Sequence, residues 1–347
     1  MAETTSSAGE AHLAPRLRAD AQSAAGAVIP NGLDELFINA EIASINSRAL
    51  SYLEAGAPVH FRGPAGVGKT TLALHVAAQR GRPVLLVSGD AWRTASDLVG
   101  DTIGQKTDFV QDSFIHNVKK TKGSTSSIWE DRALVTAMEE GFTLIYDEFT
   151  RSPPEANNPL LAALEERALV LPSQARRERV VRAHPAFRAL FTSNPADYAA
   201  VSAPQDALVD RMITFDLSEM SAETETGVVA RRSGMTLDEC RPIVALTRAL
   251  RAEPGLKHPL SMRSAILIAR VARRIGAAPS AADPQFIQLC IDVLESRAPS
   301  PQASSQADGA ARERRFEALR RCILETCPPG ARVSGRAETA RAEARIQ

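Results

Sequence analysis

Eight consecutive residues carry the strongest chemical signal in this chain: Gly63, Pro64, Ala65, Gly66, Val67, Gly68, Lys69 and Thr70. Glycine, four spacers, glycine, lysine and threonine is the spacing of a loop that wraps a chain of phosphates. The glycines let backbone N–H groups close on phosphate oxygens without a side chain in the way. A helix leaving the loop aims its N-terminal partial charge at the same anion. Lys69 would reach the β and γ phosphates and Thr70 would place its hydroxyl on Mg²⁺. Thr71 belongs to the same nucleotide-binding set. A chance glycine turn would lack this context, because Val59, His60 and Phe61 read as a strand entering the loop and residues 70–79 as a helix leaving it. The expected ligands are ATP and Mg²⁺.

A second constellation is the run Phe142, Thr143, Leu144, Ile145, Tyr146, Asp147, Glu148. An apolar strand ending in two acids delivers Asp147 to the edge where open α/β sheets bind ligands. Asp147 can hold the metal, directly or through water, and Glu148 can polarise an attacking water. The structural alternative, a helix N-cap followed by a first-turn charge, loses weight once the glycine loop stands upstream. Asn194 ends the apolar run 190–194. Its amide can orient water near the γ-phosphate, or Asn194 and Pro195 can simply initiate a turn; spacing allows both. Arg211 and Arg263 are weaker candidates, since six of the 41 basic residues are lysines and the rest arginines. The ordinary fate of Arg211 is a surface ion pair with Asp210 or Asp206.

The elements that must position these groups alternate. Strands are expected at 59–61, 83–87, 142–146, 187–192 and 213–217, and helices from residue 39 to Gly56 and at 70–79, 128–140, 156–167 and 205–212. Continuous apolar strands between helices imply an α/β fold with a parallel sheet covered on both faces. Residues 101–127 interrupt this plan as a polar insertion of loops or a short helix. Residues 168–171 and 179–182 flank a turn and read as a β-hairpin. After residue 217 only helical periodicity remains, implying a small all-α domain. The expected organisation is a disordered segment at 1–30, an α/β domain at 31–217, a helical domain at 218–297, and a linker with a basic, mostly disordered tail at 298–347, including a short helix at 312–324.

Composition narrows the function classes. The chain has 347 residues, 44% of them hydrophobic and 24% charged, as in a globular protein with a real core. Formal net charge is zero, which argues against nucleic acid as the main partner. No apolar run approaches the roughly 18 residues of a membrane span, and residues 1–25 lack the pattern of a secretory signal; the expected location is the cytoplasm. Cys240, Cys290, Cys322 and Cys327 form no Cys-x-x-Cys pair and read as reduced, half-buried thiols.

In order along the chain, the glycine loop, Asp147 with Glu148, Asn194, Arg211 and Arg263 resemble the AAA+ ATPases. There these positions correspond to Walker A, Walker B, sensor 1, arginine finger and sensor 2. The hairpin before the Asn194 strand and the helical domain after the sheet resemble the MoxR branch. The resemblance implies a homo-oligomer, ring or dimer, in which Arg211 reaches the γ-phosphate of a neighbouring subunit. It also implies that Arg263 contacts the nucleotide of its own subunit from a helical lid. Longer strings, at 49–66, 141–152, 154–158, 191–195 and 205–214, are similar to the gas vesicle ATPases, over roughly residues 31–275. Val67 departs from the threonine more often found there, and the loop expected at 119–127 is an insertion.

That closer resemblance implies an ATPase that remodels gas vesicle shell or accessory proteins. The runner-up is a MoxR-type ATPase chaperone that activates a metalloenzyme or Rubisco; the motifs do not separate the two. A nucleotide-dependent scaffold without turnover is a third reading, against which Glu148 argues.

Overall fold

The computed structural model describes residues 27–28, 37–112, 120–171, 179–195, 206–253, 260–295 and 306–329. At 27–28, 102–112, 120–129, 206 and 306–311 the description is of the backbone alone. The chain divides into two compact units. The first holds 1–33, Glu41–Pro64 and Gly68–Leu217; the second holds Asp34–Ala40, Ala65–Val67 and Ser218–Gln347.

The first unit is built on a six-stranded sheet. Its strands are β1 (Ala27–Val28), β2 (Val59–Arg62), β3 (Val84–Ser88), β6 (Thr143–Asp147), β9 (Arg188–Ser193) and β10 (Ile213–Asp216), in the spatial order β1-β3-β6-β9-β2-β10. β3, β6, β9, β2 and β10 run parallel. The four residues Thr143 to Tyr146 of β6 and the five from Ala189 to Ser193 of β9 are all buried. Strands buried on both faces lose the alternation of a half-exposed sheet, which is why they read as apolar runs. Helices α1 (Ala40–Glu54), α2 (Lys69–Ala78), α3 (Ala95–Val99), α4 (Ala133–Glu140), α5 (Asn158–Glu165) and α6 (Asp206–Val209) complete the unit. Leu98, Leu134, Met138, Leu160, Phe187 and Leu208 pack with the sheet residues Leu144, Tyr146 and Phe191 in one core.

Two arginines tie the edge of this sheet opposite the glycine loop. Arg80 donates to the Thr143 hydroxyl (2.6 Å), to Ala186 O (2.9 Å) and to Glu54 (2.8 Å). Arg188 donates to Leu53 O and Glu54 O, at 2.5 and 2.9 Å. Those are carbonyls of the last turn of α1, which no helical N–H can reach.

Several expectations change here. Order was expected from residue 31, yet Ala27 and Val28 pair antiparallel with β3, at Leu85 and Val84. Two residues are too few to carry a periodic signal, but they cover the open edge of β3. The insertion expected as loops or a short helix is a long antiparallel hairpin, β4 (Gly100–Asp112) with β5 (Lys120–Asp131). It takes in the loop expected at 119–127, apart from Lys119, which lies outside the described residues. It also takes residues 128–131 from the helix expected at 128–140, which begins at Ala133. Its Thr, Val, Ile, Phe and Trp residues favour strand, but polar neighbours hide the alternation. The helix expected at 156–167 is split into a 3₁₀ turn, Pro154–Asn157, and α5, which ends before Arg167 at φ 53°. The helix expected at 205–212 shortens to α6. The second hairpin does form, β7 (Ala168–Leu171) pairing antiparallel with β8 (Arg179–Arg182).

The second unit packs α7 (Ala222–Ser233), α8 (Leu237–Ala252), α9 (Met262–Ile275), α10 (Pro284–Glu295) and α11 (Gln306–Thr326). Thr236 and Glu239 cap α8 reciprocally: the Thr236 hydroxyl accepts from Glu239 N (3.3 Å) and Glu239 Oε2 accepts from Thr236 N (2.8 Å). Cys240, Ile243, Leu246, Ile268, Phe286 and Ile323 meet in its core. α11 contains the short helix expected at 312–324 and extends it to 21 residues, taking 306–311 from the expected linker. Leu319, Cys322, Ile323 and Cys327 are buried at helical spacing, an apolar stripe masked in sequence by the arginines around it. Residues 298–305 and 330–347 lie outside the described residues, as do 1–26. The thiols expected to be half-buried are fully buried. Burial pushes Cys240 and Cys327 up to about 11 and raises Cys290 and Cys322 as well. Among the described residues no helix is long and apolar enough to cross a membrane.

Candidate nucleotide site

β2, β6 and β9 are parallel, so their C-terminal ends reach one edge of the sheet. β9 lies between the other two. The end of β9 therefore stands between the glycine loop that follows β2 and the acids that end β6. Arg62 is in register with Ser193, and Gly63 N continues the ladder by donating to Ser193 O at 3.2 Å. Gly63 has no room for a side chain, because a Cβ there would fall 2.3 Å from the backbone oxygen of Leu217. Gly66 and Gly68 both have φ 88°, a left-handed conformation that suits glycine. Gly68 is the N-cap of α2, so the helix starts where its first N–H groups have no intrahelical acceptor.

Lys69 is buried, and its ammonium donates to Gly63 O and Pro64 O, each at 2.8 Å. The Thr70 hydroxyl donates to Asp147 Oδ1 at 2.6 Å. A second hydroxyl, that of Thr192 on β9, donates to the same oxygen at 2.5 Å. Glu148, the next residue, is left-handed, with φ 51° and ψ 40°. Its N–H donates to Thr192 Oγ1 at 2.9 Å and its carboxylate pairs with Arg151 at 2.7 Å. The chain after β3 presses on the same point. Gly89 N donates to Asp147 O at 2.7 Å, and a Cβ on Gly89 would fall 2.0 Å from Glu148 O.

Lys69, Thr70, Asp147 and Glu148 thus belong to one connected cluster in the first unit. Asn194 is buried directly after β9, at the same sheet edge. Arg211 follows α6. Its Nε and Nη2 donate to Glu165 Oε2, at 2.8 and 2.5 Å, and its Nη1 donates to Ala207 O. The ion-pair partner is Glu165, not the Asp210 or Asp206 that sequence proximity suggests. Arg263 is exposed on the first turn of α9, in the second unit. Pro64 lies within the loop and Thr71 in the first turn of α2.

The donor set suits a hard divalent ion. Thr70 and the Asp147 carboxylate offer only oxygens, and Thr70 Oγ1 lies 2.6 Å from Asp147 Oδ1. Because the Thr70 proton is directed at Asp147, its lone pairs are left for a cation. Magnesium favours such a site, with one or two protein oxygens and the rest supplied by phosphate and water. Among the described residues no cage of three or more His, Cys, Asp or Glu side chains is gathered.

Three residues of this region escaped the sequence reading. Thr192 is a hydroxyl inside an apolar strand, one residue before the strand's end at Ser193; that pattern was the available clue. Gly89 follows an apolar strand and betrays itself only by the close approach of Glu148. His60, three residues before the loop, is fully buried and bonds Ser193 Oγ (2.8 Å) and Thr214 Oγ1 (3.1 Å), joining β2 to both neighbours. Its ring meets that of Phe149 edge to face at 5.3 Å.

Burial, and then the charge of Arg62, lower the His60 pKa from 6.5 to about 4. A histidine that is harder to protonate when folded stabilises the fold fully above pH 6.5 and loses that contribution as pH falls toward 4. Between pH 7.5 and pH 5.0 the loss is about 2 kcal/mol. Urea titrations at the two pH values should show this extra loss for the native chain, and His60→Gln should not show it.

The AAA domain (dynein-related subfamily) matches residues 58–212. The gas vesicle ATPase GvpN of Ancylobacter aquaticus is 48% identical over 296 residues, covering 85% of this chain and 82% of that protein. The gas vesicle ATPase GvpN of Haloferax mediterranei is 39% identical over 274 residues, covering 76% and 78%. Protein NorQ of Paracoccus denitrificans is 28% identical over 221 residues, covering 62% and 74%.

Proposed function

This chain belongs to the gas vesicle ATPase GvpN family and is an AAA+ ATPase; from that premise we propose that it hydrolyses Mg²⁺-bound ATP to remodel protein partners during gas vesicle assembly. The observation that carries the chemistry is the connected cluster of Lys69, Thr70, Asp147 and Glu148 at the end of parallel strands. The vesicle setting and an association with gas vesicles follow from the named relatives.

In this reading the N–H groups of Gly63 to Gly68 and the start of α2 cradle the phosphates. Lys69 exchanges its two carbonyl partners for β and γ oxygens. Thr70 and Asp147 hold Mg²⁺, which when bound neutralises phosphate charge. Glu148 polarises the attacking water, and Asn194 orients it. Arg211, supplied by a neighbouring subunit of a homo-oligomer, and Arg263, from the helical unit, add positive charge where the transition state spreads negative charge. The partners are gas vesicle shell or accessory proteins.

Lys69→Ala should weaken ATP binding per folded molecule at least about tenfold, because a buried charge-assisted contact to phosphate is lost, and should lower the thermal midpoint as well, because the carbonyls of Gly63 and Pro64 lose their donor. Titration calorimetry with ATP checks this. In the organism, a strain lacking the gene should make no vesicles, native protein should restore them, and Lys69→Ala should not. Normal vesicle amounts in the deletion strain would overturn the vesicle assignment and leave the ATPase assignment standing. Activation of a metalloenzyme or Rubisco, the alternative suggested by the MoxR likeness, predicts a large enzyme as the co-purifying partner of the trapped Glu148→Gln protein.

A further inference from the structure

The Thr192 hydroxyl is bonded to both acids at once, and we infer that Thr192 is the positioning residue that holds Asp147 and Glu148 in their working geometry. The inference rests on the reading of those two acids as metal ligand and water-polarising group. A threonine hydroxyl has one proton to give and lone pairs to accept with. Here the proton goes to Asp147 Oδ1 at 2.5 Å, and a lone pair takes the Glu148 N–H at 2.9 Å. The side chain is fully buried. Its branched Cβ restricts χ1, so the hydroxyl cannot swing away without breaking both bonds.

Each bond meets a specific demand. Asp147 Oδ1 receives hydroxyls from two different elements, Thr70 on α2 and Thr192 on β9. Two donors on one carboxylate oxygen fix its rotamer, and with it the direction of a metal ligand. Hydrogen bonds behind a metal ligand commonly carry about 10- to 100-fold in affinity or activity. Glu148 has the harder task. It adopts φ 51°, a left-handed conformation that residues bearing a side chain rarely occupy. The N–H bond to Thr192 and the backbone of Gly89 pressed against Glu148 O hold it there. The site's two acids are adjacent in sequence yet are held by a residue about 45 positions later. This is possible only because β9 lies beside β6 in the sheet.

Thr192→Val keeps the shape and removes the hydroxyl; Thr192→Ser keeps the hydroxyl. Thr192→Val should lower kcat by about 10- to 100-fold and raise the Mg²⁺ concentration needed for half-maximal turnover. ADP binding measured without Mg²⁺ should stay within about twofold, since the glycine loop and Lys69 are untouched. Thr192→Ser should turn over within about threefold of the native chain. A merely structural role would lower the thermal midpoint and ADP binding together and leave kcat per folded molecule unchanged. If valine is not accommodated, Thr192→Ala against Thr192→Ser makes the same comparison. Native kcat in the hydroxyl-less variant, or equal loss in the serine and valine variants, overturns the inference. Glu148→Gln measured alongside tests the underlying reading: if it retains native turnover, the acids are misassigned whatever Thr192 does.

Discussion

Glu148→Gln should bind ATP like the native chain and hydrolyse it about 10²- to 10⁴-fold more slowly, the usual cost of losing a general base. The substitution is nearly isosteric. Glutamine keeps the backbone N–H that donates to Thr192 and leaves the Thr70–Asp147 pair in place. What it removes is the negative charge able to polarise water. It also removes the ion pair with Arg151, but those side chains are 34% and 48% exposed, and such pairs contribute at most about 1 kcal/mol. A single-turnover assay of phosphate release, run beside a binding titration, separates the two effects. Turnover within about threefold of native would show that another group performs the proton transfer.

The second large effect is expected at Arg211. Arg211→Ala should leave ATP binding intact and reduce turnover by about 10³-fold or more, the scale of a lost arginine finger. Within its own subunit Arg211 is held by Glu165, at 2.8 and 2.5 Å, with side-chain exposures of 35% and 58%. An ion pair that exposed is worth little, so a neighbour's phosphate can outcompete it. Mixing distinguishes action across subunits from action within one. The Arg211→Ala protein retains Glu148, and the Glu148→Gln protein retains Arg211. An interface that takes its acid from the first and its arginine from the second is complete, so the mixture should regain activity that neither has alone. Native turnover by Arg211→Ala, or no recovery on mixing, would remove Arg211 from the site.

Arg211 shows where a sequence stops being informative. The glycine loop could be read because its proposed chemistry is local: the groups expected to face phosphate are backbone N–H groups within eight residues, and the following helix starts by itself. Asp147 and Glu148 could be read because a buried strand has an unmistakable composition. An arginine's role depends on what lies opposite it, and Glu165 lies 46 positions from Arg211. The same limit hid the β4–β5 hairpin, whose backbone hydrogen bonds run across to the other strand and not along the chain. It also hid the extent of α11, expected at 312–324 and running from Gln306 to Thr326, whose stripe of Leu319, Cys322 and Ile323 gains meaning only against the core of the helical unit.

By itself, the sequence determined that a glycine-rich loop joins a strand to a helix, that a later strand ends in two acids, and that an all-helical region follows the alternating one. These are properties of spacing and composition along a few residues. Only the tertiary structure decided that β9 separates β2 from β6. That placement sets Thr192 and Asn194 between the loop and the acids, directs two hydroxyls onto one oxygen of Asp147, and presses Gly89 against Glu148. Parallel strands pair through crossovers many residues long, so which strand lies beside which is settled by packing across the whole sheet and cannot be read from any single segment.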